Sequence, residues 1–340
     1  MPETPEGPEG PVTKDASSTQ PGDTAATWHR LDSGTEVAGP TKPFPLSRGA
    51  PERRLTIVNH YNRRAAVTSR ESLTPTGTVR VAFQVTDNDE FDFDPGCFIG
   101  IHTTIDGVGP RRTPYCLASV ARADRTFRLL VRVVPDGPIS CHLGALTVGE
   151  TIAFRGPLGR SMMPPSADQE LILLATGVGI GPLLALVETL AAETPRQAIR
   201  LFWGLRQIQD VCLVGELDAL VATHGQFNYE ISLSEPPSGW TGLQGRITTS
   251  VPPLLATLGG KRYYLVGNGA MIEQMISALS DLGVDRTDIY AEAFFNARYR
   301  PSPAEIEAVR NCFVAHDLFS PHNDDDYAML RLERPLNRRR

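Results

Sequence analysis

The tightest constraint on this chain is a change of pattern at about Glu170. The run ELILLATG (170–177) is continuously apolar and ends in glycine, and GPLLALVETLAAE (181–193) follows with helical spacing. The same grammar recurs downstream. IRLFWG (199–204) precedes VGELDALVATHG (214–225), FNYEISLS (227–234) follows, and RYYLVGNG (262–269) leads into AMIEQMISALSDLG (270–283). DIYAEAFF (288–295) reads as a last strand. Short apolar runs buried on both faces and alternating with amphipathic helices predict a doubly wound parallel sheet with helices on both sides. Ligands of such sheets bind beyond the carboxyl ends of the strands, and the Gly-rich turns all fall there.

Upstream the chain is all-β from Leu55 to Leu158. TVRVAFQV (78–85) and TFRLLVRVV (126–134) alternate, and GCFIGIHTTI (96–105) is a third short strand. TPTG, DPG, PDGP and GPLG punctuate them, a spacing that predicts a small antiparallel barrel. The 340 residues are enough for two domains. The expected division is a disordered segment over 1–50, a barrel over 51–165, an α/β domain over 166–298, and a C-terminal helix and tail over 299–340. The first segment is rich in Pro, Gly, Glu, Ser and Thr, too polar to offset its chain entropy by burial. The C-terminal helix is expected over SPAEIEAVRNCFVAHDLF (302–319), where Ser302 is followed by Pro303 and by Glu305 three residues on.

Composition excludes several classes. A net charge of −6 offers no footprint for nucleic acid. The five cysteines, Cys97, Cys116, Cys141, Cys212 and Cys312, form no CxxC pair and no metal-ligand spacing. They read as reduced thiols of a cytoplasmic protein and do not provide the four organised thiolates of an iron–sulfur cluster. The seven histidines share no spacing, so no metal site is expected. The longest apolar stretch, 171–192, is broken by Gly177, Gly179, Gly181 and Pro182, so no membrane span is expected. The N-terminus has neither the basic start nor the apolar core of a signal peptide.

The strongest single motif is ATGVGIGP (175–182). Glycines at a strand–helix junction let the backbone approach a pyrophosphate, and the helix amides then face it. Pro182 in the first turn is tolerated because its missing N–H would be unpaired there anyway. A plain tight βα turn is an equally good reading of this motif alone. Other segments add to it. YYLVGNGAM (263–271), YAEAFF (290–295), FDPGCFIGI (93–101), RRTPYCLAS (111–119), PDGPISCHL (135–143), GETIAFRGPLG (149–159) and WTGLQGRIT (240–248) stand in a fixed order. In order, spacing and number these segments resemble the ferredoxin–NADP reductase-like flavoproteins over about residues 55 to 295.

The resemblance implies an antiparallel FAD-binding barrel followed by the nucleotide-binding α/β domain. For FAD it implies Arg112, Pro114, Tyr115, Cys116, Leu117, Ala118 and Ser119 on the flavin strand. It adds Val131 and Val133, the turn Gly137, Pro138, Ile139 and Ser140, and the closing aromatics Phe294 and Phe295. For the nicotinamide nucleotide it implies Gly177, Val178, Gly179, Pro182, Gly204, Arg206, Ser234, Glu235, Gly267, Asn268 and Met271. Core packing is the competing reading of Phe294 and Phe295. Cys116 and Glu292 are the expected catalytic pair, with Glu292 handling protons near the flavin. The sequence departs from the family pattern in four places, one of them Asn268, which replaces a proline. Arg112 stands three residues before Tyr115 instead of two; either Pro114 corrects this by a bulge, or Arg111 or Arg112 reaches from a different angle. Cys116 replaces a Ser/Thr hydroxyl, and a thiol is larger and a poorer donor. Val266 replaces a cysteine.

Glu235 follows Ser234 where NADP-selective members place an arginine, which favours NADH; Arg206 argues weakly for NADPH. The expected function is a flavin-dependent NAD(P)H oxidoreductase passing single electrons to a separate acceptor protein such as a ferredoxin, a haem hydroxylase or an oxygenase component. Two alternatives stand beside it: a flavoenzyme acting directly on a small biosynthetic substrate, and a non-catalytic module that kept the fold.

Overall fold

The computed structural model describes residues 63–105, 109–135, 137–255, 259–295 and 313–316. The expected disordered segment over 1–50 and most of the expected tail lie outside the described residues.

The first half is a six-stranded antiparallel sheet. Its strands are β1 (Arg63–Ser72), β2 (Thr78–Val85), β3 (Cys97–Ile105), β4 (Gly109–Cys116), β5 (Thr126–Arg132) and β6 (Thr151–Gly159), in the order β4-β3-β6-β1-β2-β5. Alternation explains the strands. In β2, Val79, Val81, Phe83 and Val85 point inward while the residues between them are only partly buried. Phe83 stacks on Phe127 at 5.1 Å, and Phe91 and Phe154 pack against Phe127 to complete an aromatic centre. At one end the edges meet. The Leu117 N–H donates to the Cys97 carbonyl at 2.9 Å and the Ala118 N–H to the Arg128 carbonyl at 2.8 Å, so the chain leaving β4 bonds to β5 and curls the sheet toward a barrel.

Two features here differ from expectation. The segment after Gly137 is not a simple turn but a helix, α1 (Pro138–Ala145). Proline at its first turn fits a helix start, and Ile139 and Leu143, four residues apart, are both buried in the barrel core. Pro114 makes no bulge: β3 and β4 pair without a break from Phe98 opposite Cys116 to Ile105 opposite Gly109. The irregularity falls instead between β3 and β6, at Phe98/Gly100. β4 is an edge strand, the place in a sheet where proline is tolerated.

The second half is a parallel sheet of β7 (Glu170–Thr176), β8 (Ile199–Leu205), β9 (Phe227–Leu233), β10 (Leu243–Gln244), β11 (Lys261–Asn268), β12 (Ile289–Phe295) and β13 (Phe313–His316). The order is β10-β9-β8-β7-β11-β12-β13. The helices are α2 (Ile180–Glu193), α3 (Val214–Thr223), the short α4 (Ile247–Ser250) and α5 (Gly269–Asp281). One core, with Leu173, Leu183, Leu186 and Trp203, lies on the α2–α3 face; the other, with Ile172, Leu265, Ile272 and Met275, lies on the α5 face. A doubly wound sheet thus stands as expected. The helix expected over 302–319 is corrected at residues 313–316, which pair in parallel with β12, while its other residues lie outside the described set. Phe-Val-Ala-His suits a strand, and pairing satisfies backbone groups that β12 would otherwise leave open at a sheet edge.

The two halves are joined tightly. A Cβ on Gly181 of α2 would lie 2.8 Å from the Ala118 Cβ and 3.4 Å from Leu130, so glycine lets α2 rest directly on the barrel. Leu130 and Met162 belong to the same buried core as α2. Around this apolar contact, Arg80 pairs with Glu216, Arg128 with Glu188 at 3.5 Å, and Arg132 with Asp210 at 3.0 Å.

Candidate functional site

Two regions meet at this junction. The first is a cleft of about 720 Å³ at the carboxyl ends of β7, β8, β9 and β11. Of the residues expected to bind nucleotide, Gly177, Val178, Gly204, Arg206, Ser234, Glu235, Asn268 and Met271 line it. Gly179, Pro182 and Gly267 do not line it: Pro182 is buried in the first turn of α2, and the two glycines set backbone approach. A Cβ on Gly179 would lie 2.5 Å from the Val266 carbonyl oxygen, and one on Gly267 2.0 Å from Thr176 Oγ1. The loop after β7 therefore drapes over the end of β11 only because both positions are glycine. Asn268 caps α5, its side chain accepting from the Ala270 N–H at 3.0 Å, while its own N–H donates to Thr176 Oγ1 at 3.1 Å.

At the cleft mouth, Arg206 Nε donates to Glu235 Oε1 at 3.0 Å, and the Glu235 N–H donates to the Arg206 carbonyl at 2.7 Å. The guanidinium that argued for a phosphate is thus engaged by the carboxylate that argued against one.

The second region is the end of β4. Cys116 Sγ donates to Glu292 Oε2 of β12 at 3.3 Å, and Tyr290 Oη donates to Glu292 Oε1 at 2.6 Å. Each carboxyl oxygen therefore has one donor, from a thiol on the barrel strand and a phenol on its own strand. Glu292 is 1% exposed, and burial raises its pKa to about 7 although both hydrogen bonds pull it down. Burial and the neighbouring Glu292 charge push the Cys116 thiol and the Tyr290 phenol well above their ordinary values. Both stay protonated as donors near neutrality. The expected pair Cys116 and Glu292 is thus brought together across the domain junction.

Tyr290 was missed, although strand alternation places it on the same face as Glu292, two residues away. Pro114 shares the register face of Cys116, and Tyr115, partly buried against the barrel core, takes the other. Position 112 is out of phase with Tyr115, and the side chains of Arg112 and Phe295 lie outside the described residues. Leu117 and Ser119 are buried and Ala118 partly so, with Ser119 Oγ accepting from the Arg128 N–H at 3.1 Å. Phe294 is partly buried on the sheet core.

Val131 and Ile139 are buried in the barrel core and Val133 packs on it, so these three shape the wall from behind. Ser140 Oγ closes the 134–140 turn, accepting from the Val134 N–H at 3.1 Å and donating to the Gly137 carbonyl at 3.1 Å. Gly137 precedes Pro138 as the N-cap of α1 and caps no amide by side chain. The first-turn amides of such a helix have no intrahelical partner and suit a phosphate group.

Other cleft residues went unread in the sequence: Trp203, Arg132, Asp210 and Arg246 line it. Trp203, Arg132 and Arg246 stand within the quoted segments IRLFWG, TFRLLVRVV and WTGLQGRIT, where none was singled out as a site residue. No cluster of metal-ligating side chains occurs among the described residues. Cys97, Cys116, Cys141 and Cys212 are free thiols. No helix among the described residues is long and apolar enough to cross a membrane.

Both halves match family models: an oxidoreductase FAD-binding domain over residues 64–162 and an oxidoreductase NAD-binding domain over residues 173–276. NADH-cytochrome b5 reductase 1 of Aspergillus clavatus is 33% identical over 165 residues, 46% of this chain and 53% of that protein. The chain therefore spans about half the length of that relative. The ferredoxin–NAD(P)(+) reductase component of the Pseudomonas putida naphthalene 1,2-dioxygenase system is 27% identical, over 70% of this chain and 71% of its own. A cytochrome P450 reductase from Amycolatopsis shares the fold with a TM-score of 0.61 at 24% identity, covering 68% of each chain. With an FAD-binding and an NAD-binding oxidoreductase domain in this order, meeting at Cys116 and Glu292, the chain belongs to the ferredoxin–NADP reductase-like family.

Proposed function

We propose that this chain is an NADH-dependent flavoprotein reductase that delivers electrons to a separate acceptor protein. The observation that carries the reading is the Cys116–Glu292 contact at 3.3 Å, which joins the end of the barrel strand to β12 of the nucleotide sheet. In this reading β4 and the α1 N-terminus would hold FAD, the free first-turn amides of α1 suiting a phosphate group. The cleft holds NADH, with the 177–179 turn on the nucleotide phosphates. FAD, when bound, would supply the redox chemistry that links a two-electron donor to a one-electron acceptor. Glu292, neutral or charged near pH 7, holds or moves a proton at its carboxyl oxygens. Tyr290 and Cys116 orient it. The Arg206–Glu235 pair favours NADH, because a 2′-phosphate would meet the carboxylate and would have to take Arg206 from it. The partner classes named for the two relatives, a cytochrome b5 or an oxygenase component, are the acceptors to test first.

β13 favours a second reading. It lies beside β12 and against β4, adding backbone next to the Cys116–Glu292 contact. That position suits a pocket that receives a small substrate directly. Anaerobic mixing of the purified protein with NADH and, separately, NADPH decides the main question. The expected outcome is rapid bleaching of the oxidised flavin band by NADH and slower bleaching by NADPH. Reoxidation by an acceptor protein and not by a small molecule separates the two readings. A flavin that neither nucleotide bleaches overturns the reductase.

A further inference from the structure

We propose that Trp203 is a positioning residue for the nucleotide, acting through the peptide between Gly177 and Val178. This rests on the NADH reading of the cleft. Trp203 Nε1 donates to the Gly177 carbonyl at 2.9 Å. The indole is 2% exposed, in the core beneath α2, and also forms part of the cleft wall. Its neighbours across the sheet are Ile231 on one side and Ala175, a small residue, on the other. Gly204 follows it, and a Cβ there would lie 2.9 Å from Ile247 and 3.2 Å from Thr176, so no bulkier chain could take the next position without moving the loop's support.

The effect on the turn follows from peptide geometry. The Gly177–Val178 peptide is planar and trans, so its C=O and N–H point in opposite directions. A carbonyl pinned toward Trp203 commits the Val178 N–H to the direction away from β8. That amide is in the first turn before α2, where no intrahelical acceptor exists. Gly177 has a φ of +54°, a conformation glycine reaches easily and leaves easily, so the turn needs an external anchor to hold one orientation. The Ile180 N–H also donates to the Gly177 carbonyl, and Gly179 rests on the Val266 carbonyl. Trp203 supplies the only one of these three restraints that comes from a side chain, and so the one a substitution can remove while the backbone remains. Free rotation of that peptide would turn a donor into an acceptor facing a phosphate, which disfavours binding.

The experiment compares the flavin-loaded wild type with Trp203→Phe by calorimetric titration with NAD⁺ and by stopped-flow reduction with NADH. One neutral hydrogen bond lost through pre-organisation should weaken nucleotide binding about three- to tenfold. The dissociation constant is expected to rise by that factor for both ligands, with the limiting rate of flavin bleaching unchanged. If Trp203→Phe does not fold, benzothienylalanine at 203 keeps the ring volume and replaces the N–H with sulfur. Equal affinity in either variant overturns the proposal, as does a fall in the limiting rate at unchanged affinity. A wild type that retains flavin yet binds neither NAD⁺ nor NADH overturns the nucleotide reading and this proposal with it.

Discussion

At position 292 a carboxyl is buried between two donors that both stay protonated. Its pKa rises from 4.5 to about 7 because burial outweighs the two hydrogen bonds. The folded state therefore keeps a proton that the unfolded chain releases. The associated stability is complete below pH 4.5 and is lost as the pH climbs through about 7. Chemical denaturation should show the Glu292 contribution to stability falling by roughly 2–3 kcal/mol from about pH 5 to about pH 8. Glu292→Gln should flatten that slope. An unaltered slope in the variant would place the titration elsewhere. Part of this site is legible in the letters. Glu292 and Cys116 stand in recognisable segments, and Tyr290 follows from strand alternation. That Cys116 and Glu292 touch could not be read, because they are separated by most of two domains.

Among the elements, the turns at the ends of β7 and β11 depend on each other. Gly267 admits Thr176, and the Asn268 N–H then reaches Thr176 Oγ1. Gly267→Ala sets a methyl 2.0 Å from that oxygen and 3.1 Å from the Thr176 backbone nitrogen. The backbone cannot yield cheaply, so a cost of about 2–3 kcal/mol is expected. NADH affinity should fall at least tenfold, because the same shift moves the 177–179 turn. Gly215→Ala, at a helical position with nothing within 4 Å, should leave the NADH affinity unchanged in the same titration. β1, β6 and β10 were not singled out as strands and β4 came only from the resemblance, whereas β2, β3, β5, β7, β8, β9, β11 and β12 and the helices α2, α3 and α5 were legible in the local apolar pattern. α1 and β13 were not. Neighbouring turn signals masked a short helix whose buried face is only Ile139 and Leu143, and β13 is a strand only because β12 offers it an edge.

For the whole molecule, the polar junction between the halves turns on Asp210. Its residue is 8% exposed, and it accepts from Thr76 Oγ1 at 2.5 Å and from Arg132 Nη1 at 3.0 Å. Burial opposes its charge, but Thr76 and Arg132 outweigh that and hold its pKa below the ordinary value. Asp210→Ala should cost roughly 1–2 kcal/mol, since it removes a carboxylate that is 9% exposed and accepts from both Thr76 and Arg132, while Arg132, 42% exposed, keeps Thr76 and Thr78 as acceptors. Arg80→Ala should cost under about 1 kcal/mol, since its partner Glu216 is 39% exposed. Scanning calorimetry checks both. A smaller loss for Asp210→Ala than for Arg80→Ala would show that the junction is held by its apolar contacts alone.

The sequence by itself determined the two layers of this protein and the glycine turns between them. Period-2 alternation in β2 and β5, continuous apolar runs in β7 and β11, and Gly177, Gly179 and Gly267 are local properties that neighbouring residues state outright. The tertiary structure alone decided which distant groups share a hydrogen bond: Cys116 with Glu292, Trp203 with Gly177, Asp210 with Arg132, and β13 with β12. Cys116–Glu292 and Asp210–Arg132 depend on how two separately built cores are packed against each other, and Trp203–Gly177 and β13–β12 on how the strands of one sheet are ordered. A hydrogen bond needs its partners within a few tenths of an ångström, and no local periodicity carries that information.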